Sequence, residues 1–348
     1  MNFAKDLILW FEVAHRQLPW RNTQDPYQIW VSEIILQQTR VIQGFDYFTR
    51  FIQRFPNIRT LAQAQESEVL KLWQGLGYYS RARNIHHAAR SIMENFKGVF
   101  PREYTQIRAL KGVGEYTAAA IASFAYKEAY PVVDGNVLRV MSRLFGIFEP
   151  IDLASTHTKI RIQLENLIDK DRPDLFNQAI MEFGALQCKP QNPLCDKCIF
   201  KLDCIAYTRE LTSELPIKTK KKELKDRVFV YFVAHNAQGV FLHKRKAKDI
   251  WQNMWEFPML ELNLAPLKNK RIAEENLSFY GTLCYDKQIV QCLSHQKLHI
   301  SFYQCTHLST QEWTELQQKY VFVKKNEISK YAMPKSIAEY LETIFKKN

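Results

Sequence analysis

The stretch 110–137, LKGVGEYTAAAIASFAYKEAYPVVDGNV, decides how the rest of the chain is read. Gly112 and Gly114 permit a tight turn, and the Ala-rich run 117–125 behind them is a strong helix former. Such a turn leaves bare backbone N–H groups at a helix N-terminus, where a phosphate can bind. The second half ends an apolar segment at Val132-Val133 and follows it with Asp134-Gly135-Asn136, so a carboxylate can face a cavity while its neighbours pack. A backbone anchor for an anion with a carboxylate a short way along the chain points to a phosphorylated, polymeric substrate. The plain alternative is an ordinary αα turn, with Asp134 capping a helix that begins near Asn136. These residues alone leave both open.

At 348 residues the chain is long for one core, so two domains are expected. Lys and Arg number 48 against 36 Asp and Glu, and the formal charge of +12 favours a polyanionic partner. Charge does not by itself separate a nucleic acid from an acidic membrane surface. No apolar run approaches the roughly 18 residues of a membrane span, and Asp6, Glu12 and His15 stand where a signal peptide is apolar. The expectation is a cytoplasmic protein with no membrane contact.

Working outward from the central stretch, Leu7, Trp10, Phe11 and Ala14 mark a helix over 3–16 that ends at Leu18-Pro19-Trp20-Arg21. Next comes YQIWVSEIILQQTRVIQGFDYFTRFI, a helical pattern interrupted by polar residues. Glu33 falls in its apolar part, with Gln37, Gln38 and Thr39 one turn later, and buried polar groups of this kind need partners from protein or ligand. Capping is the plain role for Gln38 or Thr39. Helices are expected over 64–73 and 81–95. Between them a connection with Gly75, Gly77, Tyr78 and Arg81 could face a minor groove with Tyr78 as a wedge, or be a Gly-rich turn with a packed tyrosine. Residues 104–110 lead into the turn at Gly112 and Gly114, and further helices are expected over 137–145, 155–169 and 174–185, the first of these basic on one side through Arg139 and Arg143. No strand pattern occurs before Cys188, so the first domain reads as all-helical.

Cys188, Cys195, Cys198 and Cys204 are spaced C-x6-C-x2-C-x5-C. Zinc can use four thiolates, but its paired short loops are missing, and a compact all-cysteine set with one short loop suits a structural cubane iron–sulfur cluster. Lys189, Lys197 and Lys201 surround it, as phosphate contacts or as a solvated face. Cys284, Cys292 and Cys305 are dispersed and read as reduced thiols. Residues 213–226, SELPIKTKKKELKD, form a basic linker, after which RVFVYFVAHNAQGVFLHKR switches to period-two strands around a turn at 236–239. Strands at 289–293, 298–305 and 320–323 and a helix over 336–345 make a separate α+β domain.

The motifs LPWR, DPYQIWVSEIILQQTRV, WQGLGYYSRARN, LKGVGEYTAAAIASFA, VVDGNVLRV and FNQAIMEFGALQC, with the four-cysteine loop after them, resemble in content and order the adenine DNA glycosylases of the MutY family, within the helix-hairpin-helix superfamily. That resemblance implies a multidomain chain. Its first part, 1–212, would be an all-α glycosylase domain, with a six-helix barrel module at 25–130 and an iron–sulfur module from 1–24 and 131–212. A basic linker at 213–226 and a Nudix-like α+β domain at 227–348 would follow. It implies removal of adenine opposite 8-oxoguanine or guanine in double-stranded DNA by a monomer associated with the chromosome, with a [4Fe-4S] cluster on Cys188, Cys195, Cys198 and Cys204.

By the same resemblance Glu33 is the general acid and Asp134 the electrostatic stabiliser or transient nucleophile, while Tyr116 and Asn136 orient the deoxyribose and Asp134. Tyr116 stands where lyase-active relatives carry a Schiff-base lysine, so the enzyme would be monofunctional. Leu36, Gln38 and Tyr78, with Thr39 beside them, would fill or probe the gap opposite the extruded adenine, where Gln38 can hydrogen-bond to the oxidised guanine, and Gly112 and Gly114 would contact DNA. The second domain lacks the acidic helix of Nudix hydrolysis. It carries Leu293-Ser294-His295 where the family has Phe-Ser-His, which keeps the polar pair that contacts 8-oxoguanine and changes the aromatic. A glycosylase/lyase for oxidised pyrimidines and a lesion-binding protein without catalysis are the competing readings, opposed respectively by Tyr116 and by intact Glu33 and Asp134.

Overall fold

Helix α1, Phe3–Ala14, buries Phe3, Leu7, Ile8 and Phe11 along one stripe, and Asn2 caps its start by accepting from the Lys5 N–H. The computed structural model describes residues 2–219, 223–262 and 281–346. After α1 come α2 Pro26–Leu36, α3 Val41–Arg54, α4 Ile58–Gln63, α5 Glu66–Leu72, α6 Ser80–Asn95, α7 Tyr104–Ala109, α8 Glu115–Tyr126, α9 Gly135–Phe145, α10 Ala154–Leu167, α11 Pro173–Leu186 and α12 Ile205–Thr208. Among the described residues no strand precedes Lys225, in line with the all-helical first half read from the sequence. The helix expected over 64–73 is α5, Glu66–Leu72; α4 before it was not expected, and the extended backbone at Ala64 separates the two. No helix among the described residues is long and apolar enough to cross a membrane.

The chain forms two compact units, Met1–Ala64 with Asn84–Lys220, and Gln65–Arg83 with Lys221–Asn348. In the first, one core joins α1, α8, α9, α10 and α11, with the ring of Phe3 edge-on to Phe176 and tilted against Phe200. Helix α2 is apolar nearly all round, and Tyr27 and every residue from Ile29 to Ile35 are buried. A helix of that kind sinks wholly into the protein, and Glu33 goes in with it. Gly184 on α11 faces the start of α9, where an added Cβ would lie 2.6 Å from Asn136 Cβ and 2.9 Å from its carbonyl oxygen. The missing side chain lets the two helices meet.

In the second unit β1 Lys225–Asn236 turns into β2 Gly239–Lys244, and β3 Trp255–Glu256, β4 Met259–Leu262, β5 Thr282–Cys292, β6 Gln296–Thr306 and β7 Val321–Lys324 follow. The sheet order is β3-β2-β1-β6-β5, with β4 on β1 and β7 on β2. Strand β1 runs parallel to β6 from Lys225 opposite Gln296 to Ala234 opposite Cys305, and the other pairs are antiparallel. Val228, Val230, Phe232 and Ala234 alternate onto one core face. On the other face Phe302 stacks on Tyr340 of the helix Lys335–Lys346 at 3.8 Å between ring centroids. A helix at Thr310–Lys319 was not expected, although Ser309 and Glu312 close a capping box, a signal legible in S-x-x-E. Residues 65–83 join this unit through Asn253 Nδ2 to Glu66 at 2.7 Å, Arg83 to the Gln252 carbonyl at 3.0 Å and Lys71 to the Tyr331 carbonyl at 3.1 Å.

Gly184→Ala should cost about 1–3 kcal/mol of stability by overpacking, since neither the α9 backbone nor the buried α11 can retreat freely. Chemical denaturation would measure it, and a loss below about 0.5 kcal/mol would show that the helices are not in contact there.

Candidate active site

Helices α2 and α8 and the start of α9 bring Glu33, Tyr116 and Asp134 to the wall of one cavity of about 1250 Å³, which Leu36, Thr39 and Asn136 also line. Tyr116 donates its hydroxyl to Glu33 Oε2 at 2.7 Å. Glu33 is 5% exposed. Burial is the main cause that pushes its pKa up, to about 7, and the negative charge of Asp134 adds to this, while the Tyr116 hydrogen bond and Arg21 oppose it. The phenol of Tyr116 is itself driven well above its ordinary value by burial and by the two carboxylates, so it stays a donor.

Asp134 is the N-cap of α9: Oδ1 accepts from the backbone N–H of Asn136 at 2.9 Å and of Val137 at 2.8 Å, and Oδ2 accepts from Asn136 Nδ2 at 2.8 Å. The cap and the cavity-facing carboxylate, open alternatives in the sequence, are the same side chain. Burial raises its pKa, against these three hydrogen bonds and Arg139, which favour the ionised form. The two carboxyls therefore differ. Glu33 has one hydrogen-bond donor and deep burial; Asp134 has a fixed cradle of N–H groups.

Arg139 donates to Asn136 Oδ1 at 2.9 Å, to the Gly184 carbonyl at 2.6 Å and to the Cys188 carbonyl at 2.7 Å. Arg143 donates to the carbonyls of Leu215, Lys189 and Pro190. Both are buried, at 7% and 3% exposure, so the basic face expected on this helix is turned inward. Their pairing with carbonyls is a tertiary fact with no local signal. Cys188, Cys195, Cys198 and Cys204 line a single recess with Phe183 and Phe200, and Arg143 Nη1 lies 3.5 Å from Cys188 Sγ. Among the described residues no three or more His, Cys, Asp or Glu side chains are gathered to hold one metal ion.

The sequence also missed Glu182, whose carboxylate is 1% exposed and paired with Arg16 and Arg21 on the same cavity. Arg21 and Glu182 lie in two of the quoted motifs, LPWR and FNQAIMEFGALQC, but only folding joins them.

Gly112 has φ +83, and a Cβ there would sit 2.7 Å from that of Asn84; Gly114, by contrast, has φ −93 with open space around it. Only the first glycine is needed for the backbone. The second is the N-cap of α8 without a capping side chain, so the N–H groups of the first turn are not capped by that residue. Gln38 and Tyr78 both adopt left-handed backbone, φ 56 and 47, and both are exposed. That conformation costs of order 1 kcal/mol for such residues and gathers at functional positions. Tyr78 belongs to the second unit, where the Arg81 guanidinium lies 5.7 Å from its ring and Arg81 Nη2 donates to the Gly77 carbonyl at 3.2 Å. Ser294 and His295, also in that unit, are exposed between β5 and β6, with Ser294 Oγ 2.9 Å from His295 Nδ1.

Because folding raises the Glu33 pKa from 4.5 to about 7, the folded state holds this proton more tightly, and the stability it confers is lost as pH rises through that window. Glu33→Gln should therefore match the wild type near pH 4.5 and exceed its stability above pH 7 by about 3 kcal/mol. Denaturation midpoints against pH would check this; parallel curves for the two proteins would remove the buried, ionisable Glu33.

Residues 31–170 match the HhH-GPD superfamily of base excision DNA repair proteins, and residues 230–343 match the NUDIX domain. The chain is 32% identical over 354 residues to the adenine DNA glycosylase of Buchnera aphidicola subsp. Acyrthosiphon pisum, covering 99% of this chain and 98% of that one. It is 43% identical over 223 residues to the adenine DNA glycosylase of Mus musculus, covering 61% of this chain and 43% of the relative. Among solved structures, that of a thermostable thymine-DNA glycosylase aligns with TM-score 0.56 and 29% identity over 60% of this chain and 95% of its own. A helical domain with Glu33, Tyr116 and Asp134 on one cavity, followed by a mixed-sheet domain and matched end to end at this identity, places the chain in the adenine DNA glycosylase family, as a DNA glycosylase of base excision repair.

Proposed function

We propose that the protein hydrolyses the N-glycosidic bond of adenine mispaired with 8-oxoguanine or guanine in double-stranded DNA, and that it does so without cutting the strand. The observation that carries this is the unequal pair of carboxyls in one cavity, Glu33 under the Tyr116 hydroxyl and Asp134 in its cradle of N–H groups. Adenine leaves poorly unless its ring is protonated. A Glu33 carboxyl with a pKa near 7 keeps its proton in about half of the molecules at neutral pH and can deliver it. Departure of the base leaves an oxocarbenium-like sugar, which the Asp134 carboxylate stabilises at C1′ before water completes hydrolysis. Asn136, bonded to both Asp134 and Arg139, keeps that carboxylate from turning away. A phenol cannot form a Schiff base, so Tyr116 supports a hydrolytic enzyme.

The exposed Gln38 would enter the space that the extruded adenine vacates, and the exposed Tyr78 would contact DNA. The bare N–H groups at the start of α8 would take a backbone phosphate behind Gly112 and Gly114, and Ser294 and His295 would read the oxidised base from the second domain. The cysteine recess would suit a [4Fe-4S] cluster, since four cysteine thiolates are the ligand set such a cluster takes. Cys188, Cys195, Cys198 and Cys204 would hold it, with Arg143 offering positive charge to Cys188. The cluster would fix the fold of the loop and take no part in base excision. The protein acts as a monomer on the chromosome in this reading. Its regions are a glycosylase domain at 1–212, a linker at 213–226 and a lesion-reading domain at 227–348.

Incubation with an A:8-oxoguanine duplex followed by mild alkali should break the adenine strand only after alkali. Glu33→Gln should lower single-turnover excision by at least about 10²-fold, the usual share of general acid catalysis, with duplex binding kept. Strand cleavage before alkali, or excision by the variant at the wild-type rate, would refute the reading. Excision should fall as pH rises through about 7, and Tyr116→Phe, which removes a hydrogen bond that favours the ionised acid, should move that limb to higher pH. For the cluster, the purified protein should be yellow-brown with iron and acid-labile sulfide in equal amounts, and one zinc without sulfide would exclude it.

A further inference from the structure

Glu182 on α11 accepts hydrogen bonds from two arginines at once. Arg16 donates its backbone N–H at 2.9 Å, Nε at 2.8 Å and Nη2 at 2.6 Å; Arg21 donates Nη1 at 3.1 Å and Nη2 at 2.8 Å. Arg21 Nη1 also donates to the Arg16 carbonyl at 2.9 Å, and its guanidinium lies 5.4 Å from the Phe11 ring centroid. All three charged side chains line the cavity that holds Glu33, Tyr116 and Asp134. Burial pushes the Glu182 carboxyl up, but the hydrogen bonds and charge of the two arginines outweigh it and hold it near 2, so it is ionised at any working pH. Two cations and one anion leave this wall with a residual positive charge.

A stabilising tie between α11 and the residues after α1 is a weak explanation. A buried ion pair returns little net stability once its desolvation is counted, and one arginine would make the tie. What the group does change is the field inside the cavity. The charged and titratable groups that bear on Glu33 are Tyr116 from α8, Asp134 from the start of α9 and Arg21 from the turn Pro19–Arg21. Arg21 favours the carboxylate of Glu33, which is the wrong form for a proton donor. Its charge is held against Glu182 by two hydrogen bonds.

We propose that Glu182 is a positioning residue for base excision: it fixes Arg16 and Arg21 on the cavity wall and offsets their charge, so that Glu33 meets only part of it. The proposal rests on Glu33 being the proton donor. Arginines on the wall are then available to a flipped base or its phosphate without stripping the acid of its proton. Removing the anion while keeping the arginines should disarm Glu33 at neutral pH.

The test uses full-length protein labelled with ¹³C at glutamate carboxyls, the Glu33 signal being assigned by its loss in Glu33→Gln. Glu182→Gln should lower the Glu33 titration midpoint by about one pH unit, a tenfold loss of the acid form above that midpoint. Arg21→Met should raise the midpoint, and Glu182→Asp, which keeps the anion, should return it most of the way to wild type. The alkaline limb of single-turnover excision should move with each midpoint. An unmoved Glu33 midpoint in folded Glu182→Gln would overturn the proposal, and if that variant does not fold, an unmoved or lowered midpoint in Arg21→Met would do so. A midpoint that shifts while the excision limb stays put would overturn Glu33 as the donor, and with it the catalytic role given to Glu182.

Discussion

A carboxylic acid buried in the wall of the cavity is the constraint on which the rest of the site depends. Glu33 is largely withdrawn from solvent where α2 places it, and the protein supplies one hydroxyl, from Tyr116, as a hydrogen-bond donor. One neutral donor does not compensate for the lost water, so the proton stays on up to about pH 7. Every neighbouring charge then matters more than it would in water. Asp134 adds to the retention of that proton and Arg21 weakens it.

The surrounding helices hold this balance by using backbone groups. Asp134 is tied to the first turn of α9, and Arg139 reaches from the next turn of the same helix to the carbonyls of Gly184 and Cys188. The cysteine loop and the cavity are thereby connected through one guanidinium, on the same side of the core as α11. Gly184 makes the approach short enough for that contact. A planar guanidinium with its donors in a fixed fork can serve several carbonyls at once, which a lysine could not do.

The second unit exposes its polar side chains differently. Its mixed sheet buries one face of β1 against Phe241 and Tyr303, and leaves the turn between β5 and β6 in solvent with Ser294 and His295 on it. Residues 65–83, with the exposed Tyr78, pack with this unit. Polar side chains on an exposed turn can contact a ligand without the desolvation that governs Glu33. Contact without deep burial suits recognition more than bond cleavage.

Much of this was legible in the chain itself. Helical spacing located most of the helices of the first half, the change to period two at 227 located the sheet, and an acid inside an apolar helix singled out Glu33. The motifs identified the family, because their order along the chain is a property of sequence. Local pattern passed over the short helix Ile58–Gln63 and the capping box at Ser309. It could not tell that Arg139 and Arg143 turn inward, since the same basic helix face would serve a solvated surface. Nor could it pair Glu182 with Arg16 and Arg21, more than 160 residues away. Periodicity and motifs are local and survive in one dimension. Which charges share a cavity is decided by which helices pack together, and the strength of each charge follows from that packing.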